Sequence, residues 1–181
     1  MKIFVRLAFA AAFVLCCLAP VAAQVFPKPE GEILSEHDRF TDKTTMWLMQ
    51  LQVAEKQFDF DYQRLYISIW TQFDSALPTR KPEFVGVNYT SWSLWDNRFT
   101  GPQPVDAIID GERWSYGIAS PLSRRVINGK HVVNLLKQMP YIDFLRLITA
   151  RSVEMRVGDV EFTLDAHAFK MLRDFNARIT P

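Results

Sequence analysis

The sequence predicts an α+β fold, an antiparallel β-sheet in a sandwich-like arrangement with two helices in the C-terminal part. Three two-residue turns, Asp110-Gly111, Asn128-Gly129 and Gly158-Asp159, each separate two segments that we predict to be strands. Asp-Gly and Asn-Gly favour the type I′ turn of a β-hairpin, and a leading glycine suits type II′. Aromatic residues make up 13% of the chain, which favours strands. Strands come first, followed by helix, hairpin and helix, an order typical of α+β proteins.

The first 23 residues have the features of a cleavable secretory signal peptide. Lys2 and Arg6 precede an uncharged apolar run, residues 7–18, which is shorter than the roughly 20 residues of a membrane-spanning helix. Val21 and Ala23 match the small residues that precede a cleavage site. We therefore expect a periplasmic or secreted protein with no membrane span after cleavage.

Both cysteines, Cys16 and Cys17, lie inside this predicted signal peptide. A lipoprotein and a membrane anchor are the alternatives for the segment, but bulky residues precede each cysteine and the apolar run is short. The mature chain then has no cysteine, so we expect no disulfide, thiol catalysis or cysteine metal site. Removal of Lys2 and Arg6 changes the formal charge from +1 to −1, which gives no indication of a nucleic-acid partner.

The rest of the chain is predicted to hold an extended leader, residues 24–38, and one α+β domain, residues 39–181. Residues 44–53 fit either a helix or a strand, and the polar turn before them favours the strand. Residues 130–137 are also open between the two. They follow a hairpin turn, however, and the hairpin interpretation makes them a strand.

The clearest single strand is residues 62–73, because its side chains alternate. One face carries Leu65, Ile67, Ile69 and Phe73, and the other carries Tyr62, Arg64, Tyr66, Ser68 and Trp70. The next predicted strand, residues 84–95, adds Tyr89, Trp92 and Trp95.

Three hairpins are predicted around the turns. They comprise residues 105–109 with 112–118, 124–127 with 130–136, and 152–157 with 160–164. In the last hairpin the predicted cross-strand pairs are Val157 with Val160, Arg156 with Glu161, and Met155 with Phe162. This register places an ion pair on one face and apolar residues on the other.

Two helices are predicted from their N-terminal signals and apolar spacing. Pro140 precedes a helix over residues 141–150, and Asp165 is the predicted N-cap of the last helix. The predicted buried residues are Ile142, Leu145 and Ile148 in the first helix and Phe169, Leu172, Phe175 and Ile179 in the second.

The C-terminal part resembles exported bacterial proteins of unknown function. The residues that carry the resemblance are the run 141–154, Gly158, the run 161–164 and the run 172–175. The resemblance implies a strand-rich fold and an exported location, and it implies no activity.

The catalytic and metal-binding patterns that we considered are missing from the sequence. The three histidines, His37, His131 and His167, form no His-Glu-x-x-His or His-x-His pattern. Residues 36–38, Glu-His-Asp, are interpreted as part of a solvated entry segment. There is no Gly-x-Ser-x-Gly elbow and no glycine-rich phosphate loop. We therefore predict no catalytic residue, metal or cofactor.

The candidate ligand-binding residues are Tyr62, Arg64, Tyr66 and Trp70, on one face of the strand over residues 62–73. Flat aromatic rings beside an arginine can stack on a sugar or hold an apolar edge of a protein partner. The alternative is ordinary core, which apolar residues on both faces of the strand favour.

The function hypothesis is an exported, non-enzymatic binding or interaction module of the cell envelope, with an envelope protein or glycan as its partner. One alternative is a hydrolase-type enzyme acting on an envelope component, with a site assembled from distant residues. The other is a structural or assembly subunit that oligomerises through an exposed sheet edge.

Overall fold

The computed structural model describes residues 30–58, 61–94 and 99–181, and the predicted signal peptide and the first part of the predicted leader lie outside these ranges. The strands are β1 (Ile33–Asp38), β2 (Lys43–Phe58), β3 (Asp61–Phe73), β4 (Phe84–Ser93), β5 (Gln103–Ile109), β6 (Glu112–Ile127), β7 (Lys130–Pro140), β8 (Val153–Val157) and β9 (Val160–Thr163). The helices are α1 (Tyr141–Thr149) and α2 (Ala166–Ile179).

All of these strands belong to one open sheet, in the order β1-β2-β3-β4-β7-β6-β5-β8-β9. Every neighbouring pair is antiparallel. The sheet curls, so that β9 lies beside β2 without pairing with it, and α2 packs against β2. The antiparallel sheet with two C-terminal helices is confirmed. The sandwich-like arrangement is not, because a single sheet contains every strand.

Part of the predicted leader and both segments that the sequence left open between helix and strand form β-strands. Residues 33–38, within the predicted leader, form the edge strand β1, which pairs with β2 from Ile33 opposite Leu48 to Asp38 opposite Lys43. The segment 44–53 is part of strand β2, and residues 130–137 are part of strand β7.

The three predicted turns have the backbone that their residues favour. Asp110 and Gly111 have φ of 49° and 89°, and Asn128 and Gly129 have 51° and 74°, as a type I′ turn requires. Gly158 has φ of 61°, which suits the first central position of a type II′ turn. In this last hairpin the predicted pairs 157–160, 156–161 and 155–162 are confirmed.

Strand β6 is one bent strand where the sequence predicts two strands, over residues 112–118 and 124–127. Gly117 has φ of 80°, next to a shift in the β5–β6 register, and a second irregularity lies between Pro121 and Ser123. Glycine and proline therefore bend this strand instead of ending it. Its first half pairs with β5 and its second half with β7.

The hydrophobic core lies between the helices and the inner face of the sheet. The largest fully buried side chains include Tyr89, Phe99, Phe144, Phe175, Leu48 and Leu65. All four predicted buried residues of α2 are buried, and Asp165 caps this helix by accepting a hydrogen bond from the Ala168 N–H at 2.7 Å.

The predicted buried face of α1 is wrong in part. Ile142 is 64% exposed, and the buried residues of the helix are Tyr141, Phe144, Leu147 and Ile148. The helix follows β7 directly, and the Tyr141 N–H donates to the Glu83 carbonyl at 2.9 Å. Two aromatic residues of the helix are therefore buried, and Phe144 meets Phe175 edge to face at 6.4 Å between centroids. Among the described residues no helix is long and apolar enough to span a membrane.

Candidate functional site

The outer face of β3 carries the predicted ligand-binding residues. Leu65, Ile67, Ile69 and Phe73 are buried on the inner face. Arg64, Tyr66 and Trp70 are half-buried on the outer face, whereas the side chain of Tyr62 lies outside the described part of the structure. The helices cover the inner face only, so the outer face keeps accessible aromatic surface.

The predicted residues do not form one cluster. The Arg64 guanidinium donates to Glu55 Oε1 at 3.2 Å, and this bond raises the pKa of Arg64 above its ordinary value. At about 3.3 Å per residue, Trp70 is roughly 20 Å along the strand from Arg64. Arg64 and Tyr66 therefore belong to one end of the outer face, and Trp70 belongs to the other.

Trp70 is held in place by a glycine on the neighbouring strand. Gly86 of β4 is opposite Trp70 in the register, and a Cβ on Gly86 would overlap the indole ring. The indole therefore lies directly on the backbone of β4. Trp47 of β2 is opposite Trp70 on the other side. Neighbours on both sides fix the ring while part of its surface remains accessible.

A shallow groove of about 530 Å³ begins at Trp70. Its floor includes Trp70, Phe84 and the amide side chains of Gln72 and Gln138, and its rim is the β3–β4 connection, residues 74–83. Phe84 is exposed. The volume lies within the range of about 300–1,000 Å³ that is typical of small-molecule pockets.

Hydrogen bonds anchor the base of this rim. The buried Thr44 hydroxyl donates to the Ser75 carbonyl at 2.7 Å, with the Ala76 carbonyl at 3.1 Å. His37 Nδ1 lies 3.0 Å from the same hydroxyl oxygen. Because the single hydroxyl hydrogen of Thr44 points to the carbonyls, Nδ1 is the donor in this contact. The rim is therefore tied to both β1 and β2.

At the other end of the rim, β4 is tied to β3. The Thr71 hydroxyl donates to the Phe84 carbonyl at 3.0 Å. Glu83 accepts the backbone bond from Tyr141 described above, so the rim also meets the start of α1. These contacts fix both ends of the rim to neighbouring elements.

The charges around the groove have both signs. Asp74 Oδ1 lies 3.9 Å from Lys43 Nζ, and Asp74 Oδ2 lies 3.9 Å from Arg80 Nη2. Lys81 and Glu83 add one further charge of each sign. Ion pairs this long and this exposed are weak. The groove therefore presents polar groups without a dominant charge.

The aromatic residues of β4 divide between the two faces of the sheet. Trp92 is half-buried on the outer face, opposite Arg64. Tyr89, which the sequence placed with this aromatic surface, is fully buried on the inner face. It lies an odd number of residues from Trp92, so the alternation of a strand turns it the other way. Trp95 lies outside the described residues.

A second depression, of about 710 Å³, lies on strands β5, β6, β8 and β9. Two of its polar side chains bond to each other across the strands. Arg156 Nη2 donates to Asp106 Oδ2 at 2.7 Å, and this bond lowers the pKa of Asp106. One face of the ring of Trp114, a residue that lines this depression, is covered by the Arg146 guanidinium, whose Cζ lies 3.9 Å from the ring centroid. The ion pair and the stacked arginine occupy part of this lining, whereas the buried Trp114 Nε1–H has no hydrogen-bond partner among the described residues.

The described residues contain no cluster of titratable side chains that could form a metal or catalytic site of the kinds considered above. The ranges that the structure describes contain no group of three His, Cys, Asp or Glu side chains able to hold a metal ion. The residues 36–38 belong to β1, where His37 contacts Thr44 and its Nε2 lies 3.7 Å from Asp42 Oδ1. The largest raised pKa values belong to buried tyrosines, Tyr89 and Tyr116, and burial is their main cause.

Sequence reasoning found Trp70 and missed the rest of the groove. The missed residues are Gln72, Phe84, Gly86, Gln138 and the rim. One signal was present, because residues 74–83 are a long connection between two strands and contain two prolines. Gln138 carried no such signal, since it reaches the groove only through the pairing of β7 with β4.

The sequence matches no protein-family model, and comparisons with curated proteins and with solved structures find no significant similarity.

Proposed function

We propose that this protein is an exported, non-enzymatic binding module of the cell envelope, and that its groove at Trp70 binds a neutral glycan. The single observation that carries the proposal is the fixed, partly accessible indole of Trp70 at the floor of a polar groove. An aromatic ring offers a flat apolar surface to the C–H face of a sugar.

The polar groups of the groove support a sugar over other ligands. Gln138 offers both donors and an acceptor, and Gln72, whose Nε2 donates to the Thr45 hydroxyl at 3.3 Å, keeps its second N–H and its amide oxygen for the hydroxyl groups of a sugar. The charges of the rim are mixed in sign, whereas a phosphorylated ligand calls for a basic site. The groove is shallow, which suits a chain that extends beyond the site at both ends.

The rigidity of the site also supports binding. Gly86 fixes the ring of Trp70, and the hydrogen bonds of Thr44 and Thr71 fix the rim. A site that is ordered before the ligand arrives loses less conformational entropy on binding. Export to the envelope, which the N-terminal segment predicts, would bring such a site into contact with envelope glycans.

The proposal is tested by calorimetric titration with soluble N-acetylglucosamine oligosaccharides. We expect Trp70→Ala to weaken binding by roughly 5- to 30-fold, since stacking contributes on the order of 1–2 kcal/mol. Trp70→Phe should retain part of the affinity, because a ring remains. Gly86→Ala should weaken binding while keeping the indole, because the new Cβ displaces it.

Leu122→Ala is the matched control, since Leu122 is exposed but lies outside the groove. Circular dichroism checks that each variant is folded. Equal affinity of Trp70→Ala and the unchanged protein, or no binding of any oligosaccharide, would refute the glycan proposal.

A further inference from the structure

The second depression, of about 710 Å³, is a trough that crosses four strands of the sheet. Its lining residues form three rows, which follow the register from β6 through β5 and β8 to β9. The middle row includes Ala107, Met155 and Phe162, whose side chains are buried on the inner face. Because side chains alternate along a strand, the backbone of this row is what reaches the outer face. The middle row is therefore the floor of the trough, and the two flanking rows are its walls.

The first wall combines a cation, an anion and an apolar side chain. It crosses β6, β5, β8 and β9 in the order Arg113, Ile108, Glu154 and Thr163. All four side chains are exposed, so a ligand in the trough can reach them.

The second wall contains an ion pair at its centre. Arg156 Nη2 donates to Asp106 Oδ2 at 2.7 Å, so these two charges offset each other. Glu161 of β9 lies opposite Arg156 and is exposed. Among the described residues, Arg113 and Glu154 of the first wall have no side-chain hydrogen bond or ion pair. The β6 end of the trough is therefore basic, and the β8–β9 end is acidic.

The distance between the two ends sets the length of a matching ligand. β6 and β9 are three strand spacings apart, which is roughly 14 Å at about 4.8 Å per spacing. An extended peptide spans at most about 3.3–3.6 Å per residue, so roughly four residues cover this distance. Ile108, which is 36% exposed, lies between Arg113 and Glu154 and offers an apolar contact to an aliphatic side chain.

The charges favour a ligand with one positive and one negative end. The carboxylates of Glu154 and Glu161 repel a phosphorylated ligand, and Arg113 repels a polyamine. A single amino acid carries both charges but is too short to reach both ends of the trough. A short free peptide matches the trough in the sign of its termini and in length.

We propose that the trough binds a free peptide of about four residues, with the peptide carboxylate at Arg113 and the peptide ammonium at Glu154 and Glu161. This inference does not depend on the glycan proposal, because the groove at Trp70 lies on other strands of the sheet.

The test is an NMR titration of the isotope-labelled protein with tetraalanine at low salt. We expect chemical-shift changes at backbone amides of β5, β6, β8 and β9. N-acetyl-tetraalanine and tetraalanine amide should each bind roughly two- to fivefold more weakly, because each lacks one terminal charge. Dialanine should also bind more weakly, since it cannot reach both ends. High salt should weaken tetraalanine binding and reduce the effect of blocking either terminus.

Charge variants assign the two ends of the trough. Arg113→Gln should weaken tetraalanine binding roughly two- to fivefold and remove the preference for a free carboxylate, while N-acetylation still weakens binding. Glu154→Gln should instead reduce the effect of N-acetylation and retain that of amidation. Glu112→Gln and Arg178→Gln are the matched controls, since both side chains are exposed and neither lines the trough.

A steric variant tests the trough without a change of charge. Thr163 is exposed at the β9 end, so Thr163→Trp adds a ring to the wall and should weaken tetraalanine binding. Thr163→Ser controls for the loss of the threonine methyl group. Circular dichroism checks that each variant is folded.

Three results would overturn the proposal. The first is no chemical-shift change in the trough with any of these peptides. The second is equal affinity for tetraalanine and both of its blocked forms. The third is tetraalanine binding that Trp70→Ala abolishes, which would place the peptide in the groove at Trp70. Oligosaccharide titration of Arg113→Gln, in which the groove at Trp70 is intact, separates these outcomes from failure of the glycan proposal.

Discussion

Replacing Tyr89 with phenylalanine should stabilise the protein. Tyr89 is 0% exposed on the inner face of β4, between Ile67 of β3 and Leu135 of β7. Its hydroxyl has no hydrogen-bond partner among the described residues. Burying a hydroxyl without a partner costs about 1–3 kcal/mol in proteins. Phenylalanine keeps the ring and its packing and removes that cost.

The expected gain is about 1–2 kcal/mol in the free energy of unfolding, which for a chain of this size raises the Tm by about 2–8 °C. Urea denaturation and a thermal melt measure the two quantities. Tyr141→Phe is the matched control with the opposite sign. The Tyr141 hydroxyl donates to Asn176 Oδ1 at 2.8 Å, so its removal should cost about 0.5–1.5 kcal/mol.

The pH dependence gives a second readout of the same change. Burial raises the pKa of Tyr89 far above its ordinary value, and burial raises the pKa of Tyr116 to about 12. Both are neutral in the folded state, and both ionise near pH 10 when the chain unfolds. Stability is therefore retained below about pH 10 and lost as the pH rises further. Tyr89→Phe should lose less stability over this range than the unchanged protein.

A fall of more than about 1 kcal/mol in the unfolding free energy of Tyr89→Phe at neutral pH would refute this reasoning, because it would mean that the hydroxyl makes a hydrogen bond. So would an unchanged alkaline loss, since the buried phenol would then contribute nothing to it.

Two further predictions concern side chains that accept hydrogen bonds from backbone N–H groups. Ser68→Ala should lower the unfolding free energy by about 1–2 kcal/mol, because the Ser68 hydroxyl accepts a hydrogen bond at 3.0 Å from the N–H of Gln50. Gln50 lies at the irregularity of β2 and has φ of 38°. An unchanged urea midpoint would contradict this prediction. Backbone bonds, that from Ser152 first, lower the pKa of Asp110, so its stabilisation is present above about pH 4 and lost as the pH falls. Asp110→Asn should therefore melt closer to the unchanged protein as the pH falls toward 2, and a constant difference in Tm would count against this.

Where structure follows from a few neighbouring residues, the sequence predicted it well. The turn Asn128-Gly129 and the pairing of Arg156 with Glu161 are both as predicted, because turn chemistry and a period of two fix them locally. The strand assignment of residues 44–53 needed only the preceding turn.

Predictions failed where a distant part of the chain decides the outcome. The buried face of α1 depends on what packs against it, and Phe144 packs on Phe175 of α2, which lies about 30 residues further along the chain. Likewise Gly117 and Pro121 can end a strand or bend it, and the choice depends on whether β7 is present to receive the second half of β6.

The sequence by itself determined the antiparallel sheet, its hairpins, the last helix and the placing of Trp70 on the strand face opposite Leu65 and Ile67, because each depends on local backbone preference and on side-chain alternation. Only the tertiary structure decided that the strands form one curled sheet, that Gly86 lies beneath Trp70, and that Gln138 and the rim complete the groove. Those features depend on which strands become neighbours, a global outcome that the spacing of residues along the chain does not encode.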